Sequence, residues 1–143
     1  MKISRTVTYA VQAALQLAQS DNRQPIPCSR LAAQGQMPER FLLQILRNMV
    51  THGILHSTRG VEGGYSLDRP SSEVSLLDIV EAVEGPLSAP PVEGVSDLLQ
   101  GRLNEALDDI NACVASKLAA VKLADLLPPA DNVQYGPQPF STN

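Results

Sequence analysis

The sequence predicts a mainly α-helical chain with one small β-hairpin, closed by a long helix near its C-terminal end. Three observations predict it. Apolar residues recur at three- and four-residue spacing through several segments, the period of a half-buried helix. A single glycine-rich stretch, Arg59-Gly60-Val61-Glu62-Gly63-Gly64, lies between two short extended runs. Finally, Leu99, Leu103, Leu107, Ile110, Val114, Leu118 and Val121 step by fours and threes, close to a heptad seam. The chain has 143 residues, enough for one compact domain with a modest extension. With 3% aromatic residues and no Trp, its core must be built from Leu, Val, Ile and Ala.

The first helix is expected from about Ser4 to Ala18, with Ser4 as N-cap. Lys2 and Arg5 ahead of an apolar region could pass for a secretory leader. Yet Thr8, Gln12 and Gln16 interrupt that region, and Val7, Ala10, Val11, Ala14, Leu15 and Ala18 keep helical period. An amphipathic helix is the better reading. Arg5 sits where helix N–H groups favour an anion, so it is either a phosphate contact or ordinary surface charge.

A polar loop, Asp21 to Pro25, leads to a second helix of about Cys28 to Gln34, opened by Pro27 and closed by Gly35. The third helix covers about Pro38 to His52 and has two unlike faces. Phe41, Leu42, Ile45, Leu46, Met49 and Val50 form the stripe expected to be buried. Arg40, Leu43, Gln44 and Arg47 fall opposite, with Glu39 and Asn48 at the margins. Gly53 stops the helix. Ile54 to Thr58 and Tyr65 to Leu67 then read as the two arms of a hairpin. Short helix, turn, outward-polar helix and hairpin together have the form of a helix-turn-helix with a wing. Arg and Gln on an exposed helix suit base edges in a major groove, and an Arg at a hairpin tip suits a minor groove.

The glycine cluster is neither a dinucleotide nor a P-loop fingerprint, since both need other spacing and a strand-to-helix setting. His52 and His56 are separated by the helix-ending Gly53, so no metal site is expected. Charge supports a nucleic-acid face. The net charge is -4, but residues 1–70 hold eight Lys and Arg against four Asp and Glu, whereas residues 71–143 hold three against eleven. A basic front and an acidic back fits one half facing phosphates. The alternative is an uneven scatter over two solvated surfaces.

Ser75-Leu76-Leu77-Asp78 has the form of a capping box, and Glu84-Gly85-Pro86 ends the short helix that follows. Leu87 to Val95 reads as a linker. Ser96 is expected to cap the long helix, about Ser96 to Val121, with a further turn through Leu127. Pro128-Pro129 breaks it before a proline-punctuated tail. A helix of that length outruns a small domain, which predicts a two-fold dimer built on it, packed on its mate and partly on the first helix; the alternative is packing within the chain along its whole length. The expected division is a DNA-binding domain at 1–86, a linker at 87–95, a dimerisation helix with its terminal turn at 96–127, and a tail at 128–143. Two cysteines, far apart, suit a reducing cytoplasm and supply no disulfide framework.

Several stretches together resemble one known family. They are Tyr9-Ala10, Phe41-Leu42-x-Gln44-Ile45-Leu46, Gly53-Ile54-Leu55, Arg59-Gly60-x-x-Gly63-Gly64-Tyr65-x-Leu67, and Ile79 to Pro86. The chain is similar to the Rrf-two group of bacterial winged helix-turn-helix transcription regulators, relatives of IscR, NsrR and CymR. The likeness covers Met1 to Pro86 closely and the long helix more loosely. It implies a homodimer on double-stranded operator DNA, acting as a repressor or an activator. Carried onto this chain, it implies groove-facing residues Pro38, Glu39, Arg40, Leu43, Gln44 and Arg47. It also implies a wing of Arg59, Gly60, Gly63, Gly64 and Tyr65, with Arg59 in the minor groove. Leu43 could meet a thymine methyl or be a surface leucine.

Many family members hold an iron–sulfur cluster with cysteines in the loop before the long helix. Here Leu87 to Val95 contains no Cys and no His, so a regulator without cluster, metal or other cofactor is expected. Cys28 at a helix start is either a thiol redox switch or a small, partly buried hydrophobe. Cys113, beside the seam, could approach its symmetry mate or simply pack there. Two other classes of function remain open: a module docking a metabolic enzyme, and a sensor with its effector between the winged part and the long helix. No nucleophile–base pair survives inspection, so an enzyme is not expected. No apolar run is long enough for a bilayer, so no membrane partner is expected either.

Overall fold

A computed structural model of the chain describes residues 2–20, 23–88 and 94–129. In chain order its elements are α1 (Arg5–Ala18), α2 (Cys28–Gly35), α3 (Glu39–Thr51), β1 (Leu55–Thr58), β2 (Gly64–Leu67), a 3-10 turn at Ser71–Glu73, α4 (Leu76–Glu84), α5 (Asp97–Ala120) and α6 (Leu123–Leu126). The fold is mainly helical with one antiparallel hairpin, as the sequence predicts.

Ser4 caps α1, its Oγ accepting from the Val7 N–H at 3.2 Å. The helix buries Val7, Ala10, Ala13, Ala14 and Leu17. Three alanines in that row let α3 and α4 approach closely. The expected stripe is therefore rotated: Val11, Leu15 and Ala18 are only half-buried, on a neighbouring flank. The interrupting glutamines have a use. Gln12 Nε2 donates to the Gly35 carbonyl at 3.3 Å, meeting an orphan carbonyl at the end of α2, and Gln16 Nε2 donates to the Leu31 carbonyl at 3.4 Å.

That end differs from expectation. Gly35 is still helical, and Gln36 takes the left-handed conformation at φ +52°. A Cβ at Gly35 would lie 2.5 Å from the end of the Met37 side chain and 3.0 Å from the Gln12 amide, so these flexible side-chain ends pack on its bare backbone. The tight turn buries Met37 and sets α3 across α2.

The core collects Leu31, Leu42, Ile45, Leu46, Met49, Ile54, Leu55, Val74, Ile79 and Leu123, all essentially inaccessible. Fully burying each such side chain stabilises the fold by about 1.5–3 kcal/mol before chain entropy is counted. Two members of the expected α3 stripe fall outside it. Val50 is half-buried, and Phe41 is 42% exposed. Phe41 lies on the flank of the stripe that Leu42, Ile45, Leu46 and Met49 turn to the core. It packs edge-on against Tyr9 instead, ring centroids 5.9 Å apart.

The predicted capping box of α4 is complete. The Ser75 hydroxyl accepts from the Asp78 N–H at 3.1 Å, and Asp78 Oδ2 accepts from the Ser75 N–H at 2.9 Å. Among the described residues Ser75 is the one buried polar side chain, and this box satisfies it.

The long helix needs two corrections. Ser96 is its N-cap by position, but its hydroxyl makes no capping bond. The helix ends at Ala120, so Val121 is not helical. Val121 to Leu123 turn extended and pair antiparallel with Val74 to Leu76. The Leu76 N–H donates to the Val121 carbonyl, and the Leu123 N–H to the Val74 carbonyl, both at 2.9 Å. Leu123 drops into the core as α6 starts. Along α5 no residue is buried: Leu98 is 75% exposed, Leu99 and Ile110 56%, and Leu103 36%. Leu107, Val114 and Leu118 are half-buried. The expected linker at 87–95 lies partly, and the expected tail from 130 wholly, outside the described residues.

Candidate nucleic-acid interface

The outward side of α3 is where periodicity places it. Leu42, Ile45, Leu46 and Met49 face the core, while Glu39, Arg40, Gln44 and Arg47 are exposed. Pro38 is the N-cap residue, and its fixed φ suits that role. Leu43 is half-buried, nearer the core than an outward assignment expects. Gln44 Nε2 donates to Asn48 Oδ1 at 3.2 Å, four residues on. Gly53, at φ +73°, turns the chain out of the helix toward β1.

The hairpin pairs Leu55 with Leu67, His56 with Ser66, Ser57 with Tyr65 and Thr58 with Gly64. Arg59 and Gly60 are exposed at its tip, with Gly60 at φ +111°. Gly63 and Gly64 are glycine for reasons internal to the chain. A Cβ on Gly63 would lie 2.2 Å from the Thr58 carbonyl oxygen, and one on Gly64 would lie 2.4 Å from the Ile26 carbonyl. The second contact exposes a link that sequence reasoning misses. Ile26 and Tyr65 exchange two backbone hydrogen bonds of 2.9 Å, so the segment before α2 serves as a one-residue third strand. This bridge fixes the hairpin against the helix pair. A lone isoleucine between prolines carries no strand period that could have announced it.

Among the described residues the single ion pair is Arg69 with Asp78, at 3.5 Å. Among the described residues, the guanidinium groups of Arg40, Arg47 and Arg59 have no carboxylate within ion-pair distance. Arg5, the first residue of α1, and Arg30 on α2 are also exposed, and the sequence reading does not single out Arg30. Asp97, Glu105, Asp108 and Asp109 are exposed on α5, while the reading face itself carries two exposed carboxylates, Glu39 at the start of α3 and Glu62 in the hairpin turn.

Cys28 lies half-buried at the start of α2, its Sγ 3.7 Å from the Glu39 carbonyl oxygen. Burial first, and then the Glu39 carboxylate, pushes its thiol above the ordinary value. The helix N-terminus thus does not yield a thiolate here. The Tyr65 phenol is likewise pushed up, by burial and then by Cys28, with Arg47 opposing. Cys113 is exposed on α5. The two cysteines occupy different elements, and among the described residues no three His, Cys, Asp or Glu side chains gather as a metal site would require. The donor set does not fit an iron–sulfur cluster. Nor is any described helix long and apolar enough to cross a membrane.

An exposed polar helix set by a tight turn, with a hairpin braced beside it, defines the winged helix-turn-helix class of DNA-binding proteins. Comparison with known proteins makes the assignment narrower. The family Rrf2, described as an iron-dependent transcriptional regulator, matches residues 3–129, and the chain belongs to it. The chain is 36% identical over 130 residues to Rv1287 of Mycobacterium tuberculosis, assigned as an HTH-type transcriptional regulator, covering 88% of this chain and 81% of that one. It is 31% identical over 97 residues to the transcriptional regulator CymR of Bacillus subtilis, covering 68% and 69% of the two chains. The solved structure of that CymR, titled the global cysteine regulator, superposes with a TM-score of 0.69 at 26% identity, over 88% of this chain and 95% of the other. IscR of T. potens shares the fold, with a TM-score of 0.67 at 24% identity over 88% and 85%. The protein is a DNA-binding transcriptional regulator. These relatives are regulators, which gives the enzyme-docking alternative no support.

Proposed function

We propose that two copies of this chain bind a two-fold symmetric operator and repress transcription from it. The observation that carries the reading is the exposed row of Arg40, Gln44 and Arg47 on α3, beside the exposed Arg59 of a hairpin braced to the same helix pair. In this reading α3 enters the major groove, with Pro38 and Glu39 at its leading end. Gln44 meets an adenine edge, and the arginines meet guanine or phosphate. Arg59 enters the adjacent minor groove, and Gly60 lets the tip approach the backbone. Arg5 and Arg30 contact phosphates. The chain at 1–86 is the DNA-binding unit and 96–127 the dimerisation element.

Two features support the dimer. Leu98, Leu99, Leu103 and Ile110 form a ridge of exposed apolar side chains on the first part of α5. Alongside α1, α4 and the end of α5 lies an apolar groove of about 600 Å³, bounded by Val11, Leu15, Leu76, Val80, Val114 and Leu118. One chain carries both ridge and groove, so a two-fold operation can fill each groove with the mate's ridge. The heptad seam then splits into two jobs. Leu99, Leu103 and Ile110 reach the mate, while Leu107, Val114, Leu118 and the chain at Val121 hold α5 to its own domain.

Sedimentation equilibrium tests the assembly: the mass should be twice the 15.3 kDa of the chain. Substituting Leu99→Asp and Leu103→Asp should give a monomer that selects no DNA from a random pool, whereas the natural chain should select an inverted repeat. Placed over a promoter, that repeat should lower transcription when the protein is present. A natural chain that stays monomeric at micromolar concentration, or selects no repeat, overturns the reading.

A further inference from the structure

The wing tip carries an apolar side chain that the fold does not explain. Val61 is 104% exposed, so the chain gives it no cover at all. Every other large apolar side chain exposed among the described residues has a place. Ile3 and Leu126 border the apolar groove, those on α5 form the ridge proposed to meet a mate, and Phe41 stacks on Tyr9. Val61 also sits against local preference. The Gly63 N–H donates to the Gly60 carbonyl at 3.0 Å, which closes a turn with Val61 and Glu62 at its corners. Turn corners favour Gly, Pro, Asn, Asp and Ser, whereas a β-branched valine favours strands. A residue that breaks a local rule and gains no packing from it points to a use outside the chain.

The shape of the tip says what it can meet. Gly60 and Gly63 carry no side chains, and a Cβ on Gly63 would lie 2.2 Å from the Thr58 carbonyl oxygen and 2.9 Å from that of Gly60. The turn is closed tightly, with bare backbone on both sides of its corner. A narrow tip of this kind suits a groove about 6 Å wide. In the proposed complex Arg59, two residues before Val61, lies in that minor groove. Of the two corner side chains, Glu62 is the poorer entrant. An A·T pair shows only acceptors there, adenine N3 and thymine O2, and a carboxylate has nothing to offer them. The phosphates repel it as well. Val61 has no charge to be repelled. A G·C pair keeps two such acceptors and adds the guanine N2 amino group. The acceptors are common to both pairs, and Arg59 can donate to them. The added N–H is what differs. Valine would cover that donor without accepting from it, and a covered, unsatisfied donor is costly.

We infer that Val61 is a specificity-determining residue: seated in the minor groove beside Arg59, it discriminates against the guanine N2 amino group and so favours A·T over G·C at the base pair under the wing tip. This rests on the proposed placement of the wing in the minor groove.

The test uses the full-length protein and the operator selected from a random pool, with 2,6-diaminopurine replacing adenine at one position at a time. That base adds the guanine amino group to the minor groove and leaves adenine's major-groove edge as it was, so the contacts of α3 are kept. At the pair under the wing the replacement should weaken binding by about fivefold or more, the low end for a donor left unsatisfied. Val61→Thr keeps the shape and exchanges one methyl for a hydroxyl that can accept from the amino group. It should cut the weakening at that pair to under about twofold. Val61→Ala, which opens the amino group to water, should do the same. Glu62→Gln should strengthen binding to every duplex alike and keep the discrimination. Equal weakening in the natural chain and both Val61 variants would mean that Val61 does not sense the amino group, and the inference fails. If diaminopurine strengthens binding and Glu62→Gln removes the gain, Glu62 is the corner residue in the groove and Val61 is not. If no position responds while Arg59→Ala still weakens operator binding, the wing lies on DNA without Val61 in the groove, and the inference falls alone. If Arg59→Ala has no effect either, the placement of the wing falls with it.

Discussion

Gly64→Ala adds one methyl group at the most crowded backbone contact of the hairpin. A Cβ at that position lies 2.4 Å from both the carbonyl carbon and the oxygen of Ile26, and 2.6 Å from the Pro27 nitrogen. All three are backbone atoms, so no rotamer change gives relief. The φ of +152° also disfavours any residue with a Cβ. The chain has two ways to respond. It can keep the bridge and hold strained backbone, at about 1–3 kcal/mol for the conformation alone, before the clash is added. Or it can swing the start of β2 away from Ile26 and lose both 2.9 Å bonds between Ile26 and Tyr65. Two such bonds contribute about 1–3 kcal/mol together. The second route avoids the clash, so a loss of about 1–3 kcal/mol is expected. Urea unfolding at a fixed protein concentration measures it. With a slope of about 1–3 kcal/mol per molar, the midpoint should fall by about 1 M. Gly60→Ala is the control: it has a positive φ but nothing within 4 Å, so only conformational strain applies. A Gly64→Ala protein within about 0.5 kcal/mol of the natural chain, the range of ordinary surface changes, would refute the bridge as a structural element.

Arg59→Ala should weaken operator binding and lower the slope of log affinity against log salt by about one, measured by titration across salt concentrations; unchanged slope and affinity would remove Arg59 from the interface. Cys28 should alkylate more slowly than a free thiol at neutral pH, followed by mass spectrometry, because burial holds it protonated. Its raised folded-state value also sets a sign: the unfolded chain releases this proton first, so stability is intact below about pH 9, the ordinary value, and falls as pH rises toward the folded value. A Cys28→Ala chain should lose that part of the alkaline decline in a denaturation series. Leu123→Ala empties a fully buried site and should cost about 2–5 kcal/mol, read by thermal or urea unfolding. A loss under 1 kcal/mol would mean that the segment after α5 is not docked in the core.

What the sequence made legible was what repeats or is locally enforced. The core face of α3 follows from a 3.6-residue period over Leu42, Ile45, Leu46 and Met49, and its end from a glycine that takes φ +73°. The Ser75 box follows from two side chains three apart. Phe41 was illegible because period alone cannot say where the core surface stops; Tyr9, from another helix, decides that. The Ile26–Tyr65 bridge was illegible because one residue has no period. The break at Val121 was hidden for a third reason. Val121, Lys122 and Leu123 contain no Gly or Pro, and helix propensity would carry the chain straight on. Two backbone bonds to Val74 and Leu76, with burial of Leu123, outweigh that tendency.

That break bears on how two copies could hold two reading heads. A long helix joined to its domain only by a flexible loop would leave the spacing of the α3 helices free to vary. Here α5 packs chiefly on α4, while its far end is bonded to the residues that open α4. The Ser75 box and the Arg69–Asp78 pair fix that same opening, a few residues from the base of β2. In the proposed dimer, therefore, backbone hydrogen bonds and the buried Leu123 fix α5 to its own domain, and the ridge of α5 against the mate's groove sets the separation and tilt of the two α3 helices. A rigid pair loses little freedom on meeting two half-sites one helical turn or a multiple apart, and tolerates an altered spacing poorly. Inserting base pairs between the half-sites should therefore abolish high-affinity binding abruptly, whereas a gradual decline would show that α5 is hinged on its domain after all.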